Sequence, residues 1–139
     1  MAHRFEIDSV NGILRIPIEG VIGDEEVTRF RAETARWITD LQPKACVVDF
    51  TETTQYEISS AMIHSIGRAA PVLPDVSLAV IVIAPAPHIF GASRMFQIIS
   101  EEKRPWVRIV KSTQEAYKLL NVDSPSFEAL PSEFEKHTD

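Results

Sequence analysis

The chain has 139 residues, of which 45 % are apolar and 24 % charged, and its net charge is −6. That length suits one domain with a core of its own, and the composition excludes a disordered or fibrous chain. The acidic balance excludes generic nucleic-acid binding, which needs a basic footprint: the basic residues are scattered, and Lys103 and Arg104 directly follow Glu101 and Glu102.

In chain order, RFEIDS (4–9) places Phe5 and Ile7 on one side and leads into Asn11-Gly12, the strongest short hairpin signal. The opening residues alternate polar and apolar and lack the apolar core of a secretion signal. The return strand ILRIPI (13–18) sets Leu14, Ile16 and Ile18 on one face, and Pro17, which cannot donate to a ladder, predicts an edge or a bulge near its end. Gly23-Asp24-Glu25-Glu26 opens a helix that Asp24 can cap. Its inner stripe is Val27, Phe30, Thr34, Trp37, Ile38 and Leu41, and Pro43 stops it.

ACVVDF (45–50) has the continuous apolar character of a strand covered on both faces. Its Cys46, the single cysteine, leaves no internal disulfide and suits a buried, inert thiol in a reducing compartment. A polar loop over 51–58 precedes a helix that buries Met62, Ile63, Ile66 and Ala70. SLAVIVIA (77–84) is the candidate central strand; with the proline-rich residues after it, the run is too short to span a bilayer, so a cytoplasmic location is the expectation. A helix over 88–102 buries Ile89, Ala92, Met95 or Phe96, and Ile99, and WVRIV (106–110) is the last strand, with Trp106 expected to pack. STQEAYKLL (112–120) is a helix capped by Ser112 or Thr113, with Ala116, Tyr117 and Leu120 inward. Residues 122–139 read as a tail packing loosely through Phe127, Leu130 or Phe134 behind a domain of residues 1–121. A hairpin followed by this alternation predicts an α/β domain: a mainly parallel mixed sheet of about five strands with four or five helices. Ligands in such sheets gather beyond the carboxyl ends of the strands, where the segments 51–58 and 84–88 lie.

The chemistry-bearing residues are few. His3, His64, His88 and His137 stand far apart with no second ligand at helical or hairpin spacing, so no metal is expected, and no glycine-rich phosphate loop occurs, so no cofactor is expected. Asp49, Ser59 and His64 have the residue types of a hydrolytic triad without its spacing, and no G-x-S-x-G elbow is present. Ser59 reads as a helix N-cap, or as an acceptor for a phosphate that the helix N-terminus would tolerate. Pro87, His88 and Phe90 in APAPHIF form a turn into a helix, or a rim beside the serines.

The segments ACVVDFTETTQYEISSAMIHSIGRAAP, LAVIVIAPAPHIFGASRMFQIISEEKRPWVRIV and STQEAYKLL, over residues 4–121, resemble the STAS domain (sulfate transporter and anti-sigma factor antagonist). The likeness is strongest to small stand-alone bacterial proteins of the anti-sigma-factor-antagonist-like fold. Members carry an apolar strand ending in Asp, here Asp49, followed by Thr51 and a short loop, then Asp-Ser-(Ser/Thr)-Gly opening a helix. The resemblance implies a non-enzymatic regulatory module. Its protein partner, a kinase that is also an anti-sigma factor, would dock on the segment 51–60 and the following helix. Phosphorylation of the serine would release that partner. Ser59 and Ser60 are then the candidate acceptors, with Glu57 beside them. Ile58 stands where the family has Asp and Ala61 where it has Gly, and aligning Ser59 requires one extra loop residue; without it Glu57 matches the Asp and Ile58 the acceptor. A second reading is a carrier of a small apolar or lipid-like ligand, bound between the 59–70 helix and the 84–90 segment with His64, Pro87, His88 and Phe90 at its rim. A serine hydrolase is the remote third, and a homodimer is compatible with each.

Overall fold

The computed structural model describes residues 3–71 and 78–131, so Phe134, His137 and the first residue of the expected strand 77–84 lie outside the described residues. Strands β1 (Glu6–Asp8) and β2 (Ile13–Pro17) form the expected antiparallel hairpin, pairing Glu6 with Arg15, and Gly12 takes the positive φ of 68° that the turn requires. The Asp8 carboxylate, 1 % exposed, accepts hydrogen bonds from the backbone of Val10, Asn11 and Ser126 and from the Asn11 side chain.

Beyond the hairpin come β3 (Gly20–Gly23), α1 (Asp24–Leu41), β4 (Ala45–Asp49), β5 (Thr53–Glu57), α2 (Ser60–Arg68), β6 (Ala79–Ile83), α3 (Pro87–Ser100), β7 (Val107–Val110), α4 (Thr113–Leu119) and β8 (Glu128–Ala129). The main sheet runs β7-β6-β4-β2-β1-β8, parallel from β2 to β7 and antiparallel through β1 to β8. β2 and β4 therefore hold its centre, and β6, the expected central strand, stands one place from the edge. Pro17 makes neither an edge nor a bulge. β2 is flanked on both sides, Arg4 donates to the Pro17 carbonyl at 3.2 Å, and the reciprocal bond is the one that proline cannot form. The chain after α4 extends the sheet past residue 121: β8 pairs with β1, and Phe127 and Leu130 are half-buried.

The two-residue period of the strands separates two cores. Leu14, Ile16, Cys46 and Val82 face α1, α2 and α3, where Val27, Ile38, Ile63 and Ile89 are buried. Ile13, Val47, Ile81 and Ile83 face the other way, onto Ala116 and Tyr117 of α4 and the half-buried Phe127. Arg15 points to this second side. It donates to Glu6 at 2.6 Å and to Asp49 at 2.8 Å, and its guanidinium lies over the Phe127 ring.

Leu41 of the expected α1 stripe is exposed, because α1 ends there with Gln42 in the left-handed region, and Ala70 is exposed because α2 stops two residues before it. Ser112 is the cap of α4. Trp106 is 51 % exposed, since the strand it was expected to begin starts only at Val107. Among the described residues no helix is long and apolar enough to cross a membrane.

At Gly67 the crossing of α2 over α3 is so close that a Cβ would lie 2.6 Å from Ile99 Cγ2. Gly67→Ala is therefore expected to lower stability by about 1–3 kcal/mol in denaturant unfolding, despite alanine's better helix propensity.

Burial alone would raise the Asp8 carboxyl pKa, but its hydrogen bonds, those of Asn11 foremost, outweigh that and hold it below the ordinary value of 3.8. A depressed folded pKa gives stability that is complete above the unfolded value and lost as pH falls through the folded one. In Asp8→Asn, the part of acid destabilisation that sets in below about pH 4 should shrink, as read from unfolding midpoints across pH.

Candidate functional site

β3 and β5 form a second, two-stranded parallel sheet beyond the carboxyl ends of β2 and β4, with Ile22 opposite Tyr56 and Gly23 opposite Glu57. β5 replaces the loop expected over 51–58. Its sequence TTQYE carries one large apolar side chain, so no apolar alternation announced it. The strand is held by Thr53, whose hydroxyl donates to the Ile18 carbonyl at 2.8 Å, and by Gly20 N–H donating to the Glu52 carbonyl at 3.1 Å.

Each strand of this pair runs into a helix, and their register brings the two helix starts together. Asp24 is the first residue of α1 and leaves its own helix without a side-chain cap, contrary to the role expected of it. Its carboxylate instead accepts from the Ser59 backbone N–H at 2.8 Å and from the Ser59 hydroxyl at 2.7 Å. The same hydroxyl accepts from Met62 N–H at 3.1 Å, which makes Ser59 the N-cap of α2. The two bonds from Ser59 lower the Asp24 carboxyl pKa from its ordinary 3.8, so Asp24 is a fully charged carboxylate at neutral pH and a poor base.

The other sequence-derived residues divide around this point. Ser60 is exposed beside Ser59, and its carbonyl meets His64 Nδ1 at 2.8 Å. Glu57 is exposed and accepts from Gln55 at 2.5 Å. His88 is exposed at the start of α3, its ring edge-on to Tyr56 with centroids 6.4 Å apart, and Pro87 is exposed beside it. Phe90 is half-buried beneath Lys111. Asp49 lies on the opposite side of the sheet, 4 % exposed, bonded to Arg15 and to both the backbone and the hydroxyl of Thr51. Ser59, Ser60, Glu57, His64 and His88 thus share one end of the molecule, and Asp49 turns away from them. Among the described residues no group of three or more His, Cys, Asp or Glu could hold a metal ion.

Beneath α2 lies an apolar cavity of about 160 Å³. Phe30 of α1, Val48 and Val82 of the sheet, Tyr56 of β5, Ile66 of α2 and Phe96 of α3 contribute to its wall, as does Arg31. Of the described residues, none in the 84–90 segment lines it, so the cavity sits deeper than the rim inferred from the sequence. Burial and the nearby Asp24 charge push the Tyr56 hydroxyl up to about 12, so it stays protonated.

No protein-family model and no curated protein matches the chain. Two solved structures share its fold over nearly their whole length. One is the anti-sigma factor antagonist SpoIIAA in its unphosphorylated form, 18 % identical with a TM-score of 0.56, covering 86 % of this chain and 98 % of that one. The other is the Bacillus cell fate determinant SpoIIAA in the phosphorylated form, 19 % identical with a TM-score of 0.56, covering 86 % and 99 %. The chain has the SpoIIAA-like, STAS-type fold. The order expected from the sequence, a hairpin and then alternating helices and strands on a mainly parallel mixed sheet, is the order of the SpoIIAA-like architecture.

Within this SpoIIAA-like frame, three residues at the site escaped the sequence reading. The sequence around Asp24 predicts a cap for its own helix, and its partner is 35 positions away. Arg31 sits one turn beyond Val27 on the flank of the α1 stripe, and Arg104 read as part of a mixed-charge run. Only tertiary placement distinguishes them: Arg31 lines the cavity and Arg104 lies over Phe96 of its wall.

Ser59→Ala removes the cap of α2 and should cost about 1 kcal/mol of stability. Measured together with Asp24→Ala in a double-mutant cycle, the two losses should fall short of additive, because each single change already breaks the shared bond. Strict additivity in denaturant unfolding would show that the hydroxyl–carboxylate bond contributes nothing, since the backbone bond from Ser59 survives in Ser59→Ala.

Proposed function

We propose that the chain is a non-enzymatic regulatory module of STAS type, working in the cytoplasm and docking a protein partner through residues 51–60 and the start of α2, with Ser59 or Ser60 as its switch. The observation that carries the reading is the exposed Ser59 hydroxyl, held between a helix N-terminus and the Asp24 carboxylate. A phosphate on Ser59 would gain from the α2 dipole and free N–H groups but would face Asp24, turning a hydrogen bond between α1 and α2 into like-charge repulsion. Phosphorylation would thereby alter the surface at this end without touching either core. SpoIIAA, an anti-sigma factor antagonist with phosphorylated and unphosphorylated forms, supplies the analogy for an anti-sigma-factor-like kinase as partner. A homodimer would find its contact at the other side, where edge strand β7 begins beside the exposed Trp106 and Ile98.

Intact-mass and fragment analysis of the protein from its own cells should find a covalent phosphate on Ser59 or Ser60. Affinity capture with Ser59→Asp should lose a partner that the unmodified protein retains. Phosphate-free protein together with identical partners for the two baits would sink the switch.

A second reading rests on the apolar cavity of about 160 Å³ beneath α2, lined from three helices and the sheet. In that reading the chain binds a small apolar or amphipathic molecule there.

A further inference from the structure

We propose that the cavity beneath α2 is the apolar half of a binding site for a small organic carboxylate, whose charged head is received by Arg31 and Arg104. The inference deepens the ligand-binding reading and rests on it.

Size sets the first limit. A wholly apolar cavity of about 150 Å³ inside a protein stays dry and accepts a benzene ring. The space here, about 160 Å³, has room for a similar apolar body, an aryl ring or a short alkyl chain of about six carbon atoms.

Charge sets the second. Arg31 is half-buried in the cavity wall. Arg104 is half-buried too, its guanidinium 5.9 Å from the centroid of Phe96, another wall residue. The only hydrogen bonds the Arg104 side chain makes among the described residues are long ones, at 3.4 Å, to the carbonyls of Gly67 and Ala70 at the end of α2. No carboxylate among the described residues forms an ion pair with either arginine, although the chain carries six more acidic than basic residues. Burial, and after it the Arg31 charge, lowers the Arg104 pKa below its ordinary value. Arg31 in the cavity wall and Arg104 over Phe96 of the same wall thus bring to one apolar site two guanidinium groups that have no ion-pair partner among the described residues, and an anion placed there is attracted by both. A carboxylate matches the planar guanidinium fork, and removing an opposing charge from a partly buried pair is costly, so the head group confers selectivity for an acid over its neutral analogue. Benzoate and hexanoate have the required size and charge.

The test uses the intact chain with benzoate, hexanoate and, as neutral control, benzyl alcohol, followed by titration calorimetry and by methyl NMR shifts of Ile63, Ile66 and Val82. Benzoate should bind with shifts at these methyls and about tenfold or more tightly than benzyl alcohol. Arg31→Gln and Arg104→Gln should each abolish that preference while leaving benzyl alcohol affinity within about twofold. Ala92→Leu, which adds volume from the α3 wall, should weaken all three probes. Equal affinity for benzoate and benzyl alcohol, both weakened by Ala92→Leu, would overturn the anion site and leave the cavity reading standing. Absence of binding by every probe at millimolar concentration would overturn both. Tighter binding of phenyl phosphate than of benzoate would overturn the carboxylate assignment.

Discussion

The parallel register of β3 and β5 is the constraint on which the functional end depends. By setting Gly23 opposite Glu57, it delivers the first residue of α1 to the cap of α2. The Asp24–Ser59 contact follows from that alignment. The helices joined there are two of the three that roof the cavity. The register is held by backbone ladder bonds and the Ile22–Tyr56 pair, whereas the side-chain contact is surface-exposed and modest. A backbone alignment thus carries a weaker side-chain tie at its helix end.

The two-sided sheet explains why the pattern of an apolar strand ending in Asp divides in space. Residues 45, 47 and 49 of β4 share one side and 46 and 48 the other. Asp49 therefore joins Arg15 and Glu6 on the α4 side, where it links β4 to the hairpin, while Cys46 and Val48 face the cavity side. The Tyr117 hydroxyl in that second core is buried with no hydrogen-bond partner among the described residues, and burial is the main force pushing it up to about 12. The α4 side thus serves integrity, and the face under α1, α2 and α3 holds the features on which binding and switching can be built.

Much of this was legible in the chain. β2, β4 and β6 announce themselves through apolar runs, the hairpin through Asn11-Gly12, and α1 through a helical stripe, because each signal is local and set by a backbone period. β3 and β5 were not legible: four and five residues long, one glycine-bounded and the other mostly polar, they exist because they pair with each other. The site inherits that blindness. Ser59 was recognisable as a cap from its own neighbourhood, but a bond to a residue 35 positions earlier depends on a pairing no window reveals. Arg31, in the cavity wall, and Arg104, over Phe96 of that wall, likewise take their places only through tertiary packing.

Cys46 occupies the middle strand of the structure, is 3 % exposed, and has its thiol pushed up to about 12 by burial. Folded protein consequently offers a modifying reagent almost no thiolate and no path to it. The rate at which that sulfur is labelled becomes a clock for the opening of the central strands, and nature has already installed it. Any ligand or phosphate that tightens or loosens the helices above β4 would change how fast it runs.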